Sequence, residues 1–488
     1  MTGGSPVRID HLIGGTWTAG EGAEFWSVNP ARPDAGVATG RLATAEQVEA
    51  AIAAAHAAQP TWGATPIAER AAVLRRAAAI IRDHADAWGA ELAEEEGKTR
   101  PEGVGEVLRA AAVLDFQAGE ADRDNGEILS SPRRGERIEV VRGPVGVVSM
   151  ITPFNFPIAI PAWKAAPALV HGNAVVWKPA QSVPLLAMRL AQALDRAGLP
   201  AGVLNLVIAS SADARAMLVD RRIAALTFTG STGVGRSIAA TCAAEGIPVQ
   251  AEMGGKNPAV VLADADIPYA AEQVANGAFN STGQKCTATS RVAVVREVAD
   301  AFTEALLERV RARVTGDPLA DGVGMGPMID AKPRDEALAA VRASVDAGAE
   351  LLAGGDVPEV DGCPGGHFLS PTIVRVASPE DALWTEELFA PVLALMVVDD
   401  ADEAFRVADL GDHGLSAAVF TDSLAATFDA AERLHVGILH VNSETAGADP
   451  HAPFGGTGAS GLGPKEQGRA AREFFTRTTT TYLGRWPR

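Results

Sequence analysis

Cysteine is scarce: the 488-residue chain has three, Cys242, Cys286 and Cys363. An odd, scattered set is no disulfide framework, and no Cys-x-x-Cys pair offers a zinc site. Reduced thiols in a cytoplasmic setting fit best. The nine histidines never form His-Glu-x-x-His, so no metal is expected. Positive charge is in deficit, 42 Lys and Arg against 61 Asp and Glu, a net charge of -19. Such a chain repels phosphate backbones and anionic lipid, which argues against nucleic-acid and membrane partners. A long apolar run is also missing. Ile158 to Trp177 comes nearest, but Pro161, Lys164 and Pro167 interrupt it well short of the ~18 residues a bilayer demands. Residues 1–15 lack the basic-then-apolar order of a secretion signal.

What is present is a long chain, 47% apolar, with 50 glycines and abundant alanine. That length exceeds one hydrophobic core and implies two or three domains, with helices packed closely on sheets. Residues 44–59 read as a helix entered through a Thr44 cap with Glu46 and Gln47 in its first turn. A long amphipathic helical region follows over 66–96, with Pro60 and Pro66 as punctuation. Residues 121–137 are polar and turn-rich, and strand 134–142 alternates. From 144 onward apolar strands alternate with helices at 183–197, 211–220 and 234–244, the pattern of a parallel sheet covered on both faces. A second such set runs from Pro258 to about 440. Residues 354–366 read as a loop, and the Thr-rich segment 474–483 as an edge strand.

Several motifs fail. Gly97-Lys98-Thr99 imitates the end of a phosphate loop, but Leu92 stands where a glycine is required. Gly255-Lys256 is followed by Asn257 instead of Ser or Thr. Asn280-Ser281-Thr282 is a glycosylation sequon with no secretion to accompany it.

Others carry chemistry. Cys286 is either a buried structural thiol, the commoner reading of a lone cysteine, or, in a polar Gly-containing loop beside the cation of Lys285, a nucleophilic thiolate. Glu252 ends an apolar strand before a Gly pair, where parallel sheets bind ligands; a solvated strand-end acid is the bland alternative. Asn155, between two prolines after strand 145–151, is either a turn former or an amide donor to an oxyanion. FTGSTGVG (228–235) is a strand, a Gly-rich turn and a helix start, an anion site by its bared N–H groups or a plain turn. Lys178 ends another strand, either solvated or bonded to a ribose or phosphate.

Taken in order, TPFNFP, Trp163-Lys164, the strand ending in Lys178, FTGSTGVG, EMGGK, GQKC, EELFAPV and PFGG resemble the aldehyde dehydrogenase superfamily over essentially the whole chain. The resemblance implies an α/β fold: a Rossmann-like NAD(P)-binding domain (1–124 and 144–253), an α/β catalytic domain (254–468) and a small β oligomerisation arm (125–143 and 469–488). It implies Cys286 as nucleophile, Glu252 as general base and Asn155 with the Cys286 N–H as oxyanion hole. Cofactor contacts would fall to Thr152, Phe154, Lys178, Gln181, Gly230, Ser231, Glu387 and Phe389. A substrate wall would include Phe156, Ile160, Trp163, Asn280, Lys285, Thr287 and Phe454. Gln181 stands where NAD-preferring members carry a ribose-binding glutamate, so use of NADP as well as NAD is expected. Ala390 replaces the usual glycine of its turn. Relatives that acylate coenzyme A tend to lack the glutamate, so Glu252 favours hydrolysis. A catalytically silent binding protein on this fold would not need Cys286, Glu252 and Asn155 together. The segment STGQKCTATSR looks most like bacterial α-ketoglutaric semialdehyde (2,5-dioxovalerate) dehydrogenases, implying a carboxylate-bearing semialdehyde, with succinic or glutaric semialdehyde or a neutral aldehyde as alternatives. A homodimer or homotetramer is expected.

Overall fold

A computed structural model describes residues 5–120, 123 and 126–485. Of the polar stretch expected over 121–137, residues 121, 122, 124 and 125 lie outside this description, as do arm residues 486–488.

The first helix, Ala45–Ala64, opens with a capping box: Gln47 N donates to Thr44 Oγ1, and Gln47 Oε1 accepts from Thr44 N. It runs through Pro60 instead of stopping there, because a rigid φ near -65° is compatible with continued helix. The helical region 66–96 is two helices, Ile67–Asp83 and Ala85–Glu96, broken at His84 where the backbone leaves helical geometry (φ -107°, ψ 7°). Gly97 ends the second at φ +99°, a left-handed turn that a side chain resists. Helix Arg100–Glu120 follows.

One eight-stranded sheet has five parallel strands at its centre, Val249–Glu252, Ile223–Thr229, Val147–Ile151, Ala174–Lys178 and Leu204–Leu206. Antiparallel strands close its edges, Gly461–Leu462 on one side and His11–Ile13 with Thr16–Thr18 on the other. The chain steps one way from Val147–Ile151 to the 174–178 strand and the other way to the 223–229 strand. The resulting switch point opens a crevice past the strands' C-terminal ends, where Thr152–Asn155 and Gly230–Ser231 emerge. The segment 211–220, expected as one helix, is a short 3₁₀ turn (Asp213–Arg215) and a single α-turn (Ala216–Val219).

A seven-stranded sheet places Asn257–Val261 beside Thr289–Val295, parallel except at its Glu350–Ala353 edge. Its strands read as nearly continuous apolar runs because helices cover both faces.

A three-stranded sheet joins Gly126–Ser130, Glu136–Pro144 and Thr476–Gly484, all antiparallel. The two long strands thus pair with each other within one chain. The last strand begins later than expected: Phe474 and Phe475 are buried in helix Ala471–Phe475, because their rings pack on the first sheet's core. Among the described residues no helix is long and apolar enough to cross a membrane, and no group of three His, Cys, Asp or Glu could hold a metal ion.

Candidate active site

Cys286 lies between the two large sheets, in the loop that enters strand Thr289–Val295. The loop is fixed by its backbone. Ser281 and Thr282 take left-handed φ of 53° and 54°, and Gly283 follows at 67°. Such geometry is costly for Ser and Thr and persists only where the surroundings enforce it. Here Ser281 N donates to Glu102 Oε1 (2.7 Å) and Thr282 Oγ1 to the Gly326 carbonyl (3.1 Å). Asn257 Nδ2 donates to the Cys286 carbonyl at 2.8 Å, tying the loop to the neighbouring strand.

The half-buried Cys286 faces a cleft of about 380 Å³ that Phe154, Asn155, Gly230, Ser231, Glu387 and Phe389 also line. Asn155 is buried, and its Nδ2 donates to the Gln284 carbonyl at 2.9 Å, beside the nucleophile. An amide nitrogen carries two N–H groups, so a second remains for a ligand. Burial and the charges of Glu252 and Glu387 push the Cys286 thiol up to about 12, opposed by the N–H groups of Thr287 and Cys286 itself. Lys285 does not supply the expected activation. It is buried and turned toward Glu444, 3.7 Å away, and burial lowers its own pKa.

Glu252 is buried at its strand end, with Oε2 accepting from Gly456 N at 3.2 Å. Burial and the charge of Glu466 raise its pKa well above the ordinary carboxylate range, while Lys164, the Gly456 N–H and Lys465 oppose them. Lys164 and Glu466 form a buried ion pair, and Lys164 also donates to Thr227 Oγ1 (2.9 Å) and the Phe228 carbonyl (3.2 Å). Trp163 Nε1 donates to Glu466 Oε2 at 2.7 Å, and the Trp163 and Phe454 rings lie 5.5 Å apart. Trp163 and Phe454 are therefore tied to the Glu252 side. Thr287 is buried, its carbonyl accepting from Thr445 Oγ1 at 2.7 Å. Asn280 faces another groove, held by Arg313 Nη1 at 2.7 Å. Ile160 is buried, and the Phe156 ring lies under Lys98 Nζ at 3.7 Å.

The cleft suits a dinucleotide. Thr229 lines it, and its buried Oγ1 has no hydrogen-bond partner among the described residues. Glu387 Oε1 accepts from Gly255 N at 2.9 Å, and a Cβ on Gly254 would come within 1.9 Å of Glu387 Oε2. Ser231 precedes helix Thr232–Ala244, whose first N–H groups offer an anion site. The Gly230 N–H is not among them, because it donates to the Glu252 carbonyl at 3.1 Å. Phe389, at φ 53°, packs edge-on to Phe154 at 5.9 Å. Thr152 is buried, its Oγ1 accepting from Trp177 Nε1 at 2.9 Å. Lys178 is half-buried, with burial lowering its pKa, and Gln181 is exposed nearby.

The model of the aldehyde dehydrogenase family matches residues 17–481. The chain belongs to that family. It is an NAD(P)-dependent aldehyde dehydrogenase. It is similar to the α-ketoglutaric semialdehyde dehydrogenase of Bacillus subtilis, 39% identical over 97% of each chain. It is also similar to the 2,5-dioxopentanoate dehydrogenase of Saccharolobus solfataricus, 38% identical over 96% of this chain and 98% of that one. A betaine aldehyde dehydrogenase from Staphylococcus aureus, solved in complex with NAD+, superposes with a TM-score of 0.94 at 29% identity, covering 98% of this chain and 95% of that one.

Glu466, Glu102 and Glu106 carry no mark in the sequence, and Lys98 stands there only in a failed phosphate-loop motif. No local signal marks Glu466, which reaches Lys164 only through the fold. Glu102 and Glu106 stand four apart at a helix start, a pattern equally typical of a solvated face.

Proposed function

We propose that this dehydrogenase oxidises α-ketoglutaric semialdehyde to 2-oxoglutarate through a thioester on Cys286. The observation that carries the reading is the meeting of Cys286 and Asn155 in one cleft, with the charge of buried Glu252 acting on the thiol. The Cys286 thiolate adds to the aldehyde carbon, and negative charge moves to the carbonyl oxygen. The second Asn155 N–H and the Cys286 main-chain N–H receive it. When bound, NAD or NADP accepts the hydride whose departure leaves the thioester. Glu252 then takes a proton from water, which attacks the thioester carbon and releases the carboxylate. A carboxylate with a raised pKa is a stronger base for that step.

Lys178 and Gln181 hold the adenosine side of the cofactor in this reading, and Thr152 and Phe154 are further cofactor contacts, Phe154 beside Phe389. Gly230 and Ser231 approach the pyrophosphate, and Glu387 and Phe389 hold the nicotinamide end. Phe156, Trp163 and Phe454 give the substrate wall its apolar part, Thr287 and Lys285 its polar part. A short chain with a charged tail suits that mixture better than a long alkyl aldehyde. The names of the two relatives support this substrate. The three-stranded arm, with the outer edges of Gly126–Ser130 and Thr476–Gly484 open among the described residues, supports assembly as a homodimer or homotetramer. A cytoplasmic location accords with three unpaired thiols. The test is kcat/KM across α-ketoglutaric, succinic and glutaric semialdehydes, hexanal and benzaldehyde, with NAD and with NADP. The α-ketoglutaric compound should lead; a neutral aldehyde ahead of every carboxylated one sinks the proposal.

A further inference from the structure

The Gly97-Lys98-Thr99 fragment, rejected as a phosphate loop, sits against the reacting groups. Gly97 turns the chain at the end of helix Ala85–Glu96, and a Cβ there would press on Pro30 and Pro327. Lys98 is thereby carried inward and fully buried. Its ammonium donates to the main-chain carbonyl of Asn155 and to Glu106 Oε2 (2.8 Å), and lies 3.7 Å from the Phe156 ring centroid. Glu106 uses its other oxygen on the same segment, accepting from Ile158 N (3.1 Å) and Ala159 N (3.2 Å). The backbone around Asn155 is thus held from both sides of its turn. One helical turn before Glu106, Glu102 reaches the opposite wall, where its Oε1 accepts from Ser281 N at 2.7 Å. Its Oε2 is fixed by Thr99 N (3.0 Å) and Thr99 Oγ1 (2.7 Å).

We propose that the turn from Gly97 to Glu106 is a bracket that sets the spacing between Asn155 and Cys286, with Lys98, Glu102 and Glu106 as positioning residues. The inference rests on the roles assigned above to Asn155 and Cys286. Its physical basis is leverage. Asn155 reaches the oxyanion only if its backbone is fixed, and two charge-assisted contacts fix it better than neutral ones. Ser281 and Thr282 hold unfavourable φ, so the nucleophile loop needs an outside anchor, and the Glu102 carboxylate is one. The cluster is also charged beyond structural need. Glu96 Oε1 lies 3.7 Å from Lys98 Nζ, has no hydrogen-bond partner among the described residues, and burial pushes Glu96 up to about 8. With Glu96 protonated, Lys98 and Glu106 form one balanced pair aimed at the Asn155 segment.

The experiment is a double-mutant cycle on the full-length enzyme, reading the rate of the first-turnover NAD(P)H burst and, separately, thermal stability. Lys98→Met should slow the burst by about tenfold or more in the wild-type background, the scale expected when a catalytic group shifts by a fraction of an ångström. In the Asn155→Ala background the same change should cost less than about twofold, because no amide is left to position. A merely structural role predicts equal losses in both backgrounds, and that result overturns the proposal. Should Lys98→Met fail to fold, Glu106→Gln, which keeps the shape and removes the charge, runs through the same cycle with the same criteria. Glu102→Ala acts on the other wall and should slow the burst in both backgrounds; an unchanged burst removes Glu102 from the bracket. If Asn155→Ala alone leaves the burst unchanged, the oxyanion role of Asn155 falls and the bracket falls with it. A slow Asn155→Ala enzyme with an additive Lys98→Met rejects the bracket alone.

Discussion

Cys286 sits among groups that work against its ionisation. Burial and two nearby carboxylates push the thiol up to about 12, and the adjacent lysine points elsewhere. A thiol with a raised pKa is mostly protonated at neutral pH, and its thiolate fraction grows with pH until the pKa is passed. In the cofactor-free enzyme, alkylation by iodoacetamide should therefore accelerate steadily from about pH 7 to 10, beyond the ~8.5 of a free cysteine. A plateau with a midpoint near neutrality contradicts the environment described. Glu252→Gln should still give one burst of NAD(P)H and then stall, since only deacylation needs the base; wild-type steady-state turnover in that variant excludes Glu252 as the base. With Gln181 at the adenosine side, as proposed, no carboxylate stands at that position to repel a 2′-phosphate, so NADP should serve at least comparably with NAD. Gln181→Glu should lower kcat/KM for NADP by about tenfold or more, through repulsion of the 2′-phosphate, and spare NAD. Equal effects on both cofactors would place Gln181 away from that phosphate.

At the scale of elements, the site is made by what strands do at their ends. Strand Val249–Glu252 delivers Glu252 to one side, and the Gly pair after it admits Glu387 from the other sheet. A Cβ at Gly254 would occupy the space of the Glu387 carboxylate. Gly254→Ala should raise KM for NAD(P) by about tenfold or more while the melting temperature changes little, because the displaced group is a binding group and not core. An unchanged KM shows that Glu387 does not hold the cofactor. The parallel sheets were legible from their apolar runs, and helix Ala45–Ala64 from its cap. The break at His84 was not, because nothing in the local pattern separates one long helix from two that bend around a core. Phe474 and Phe475 read as strand in sequence for a similar reason but are helical. Aromatic residues suit either state, and packing against the first sheet's core decided for helix.

Across the whole molecule, loops after the C-terminal ends of the first sheet's strands (Asn155, Gly230, Ser231) and the loop before the second sheet's strand Thr289–Val295 (Cys286) line one cleft. Residues at the first sheet's switch point thus meet the loop before strand Thr289–Val295. The antiparallel sheet of the arm is separate from both large sheets and pairs within its own chain, with two outer edges open among the described residues. Ending the chain at Phe475 removes strand Thr476–Gly484 and exposes the edge of Glu136–Pro144. Light scattering should then find a smaller assembly than for the full chain; identical masses would place the subunit contact elsewhere.

By itself the sequence determined the family, the alternation of strand and helix, and the positions of Cys286, Glu252 and Asn155. Each of these rests on short motifs and apolar periodicity, which are local. Only the tertiary structure decided the electrostatics. Lys285 adjoins Cys286 in the chain but turns to Glu444, whereas burial and the charge of Glu466, far along the chain, raise the pKa of Glu252. Lys98 looked like a failed phosphate ligand until the fold buried it under Asn155. The field at a buried group depends on distance and burial, and both are fixed by which segments pack together.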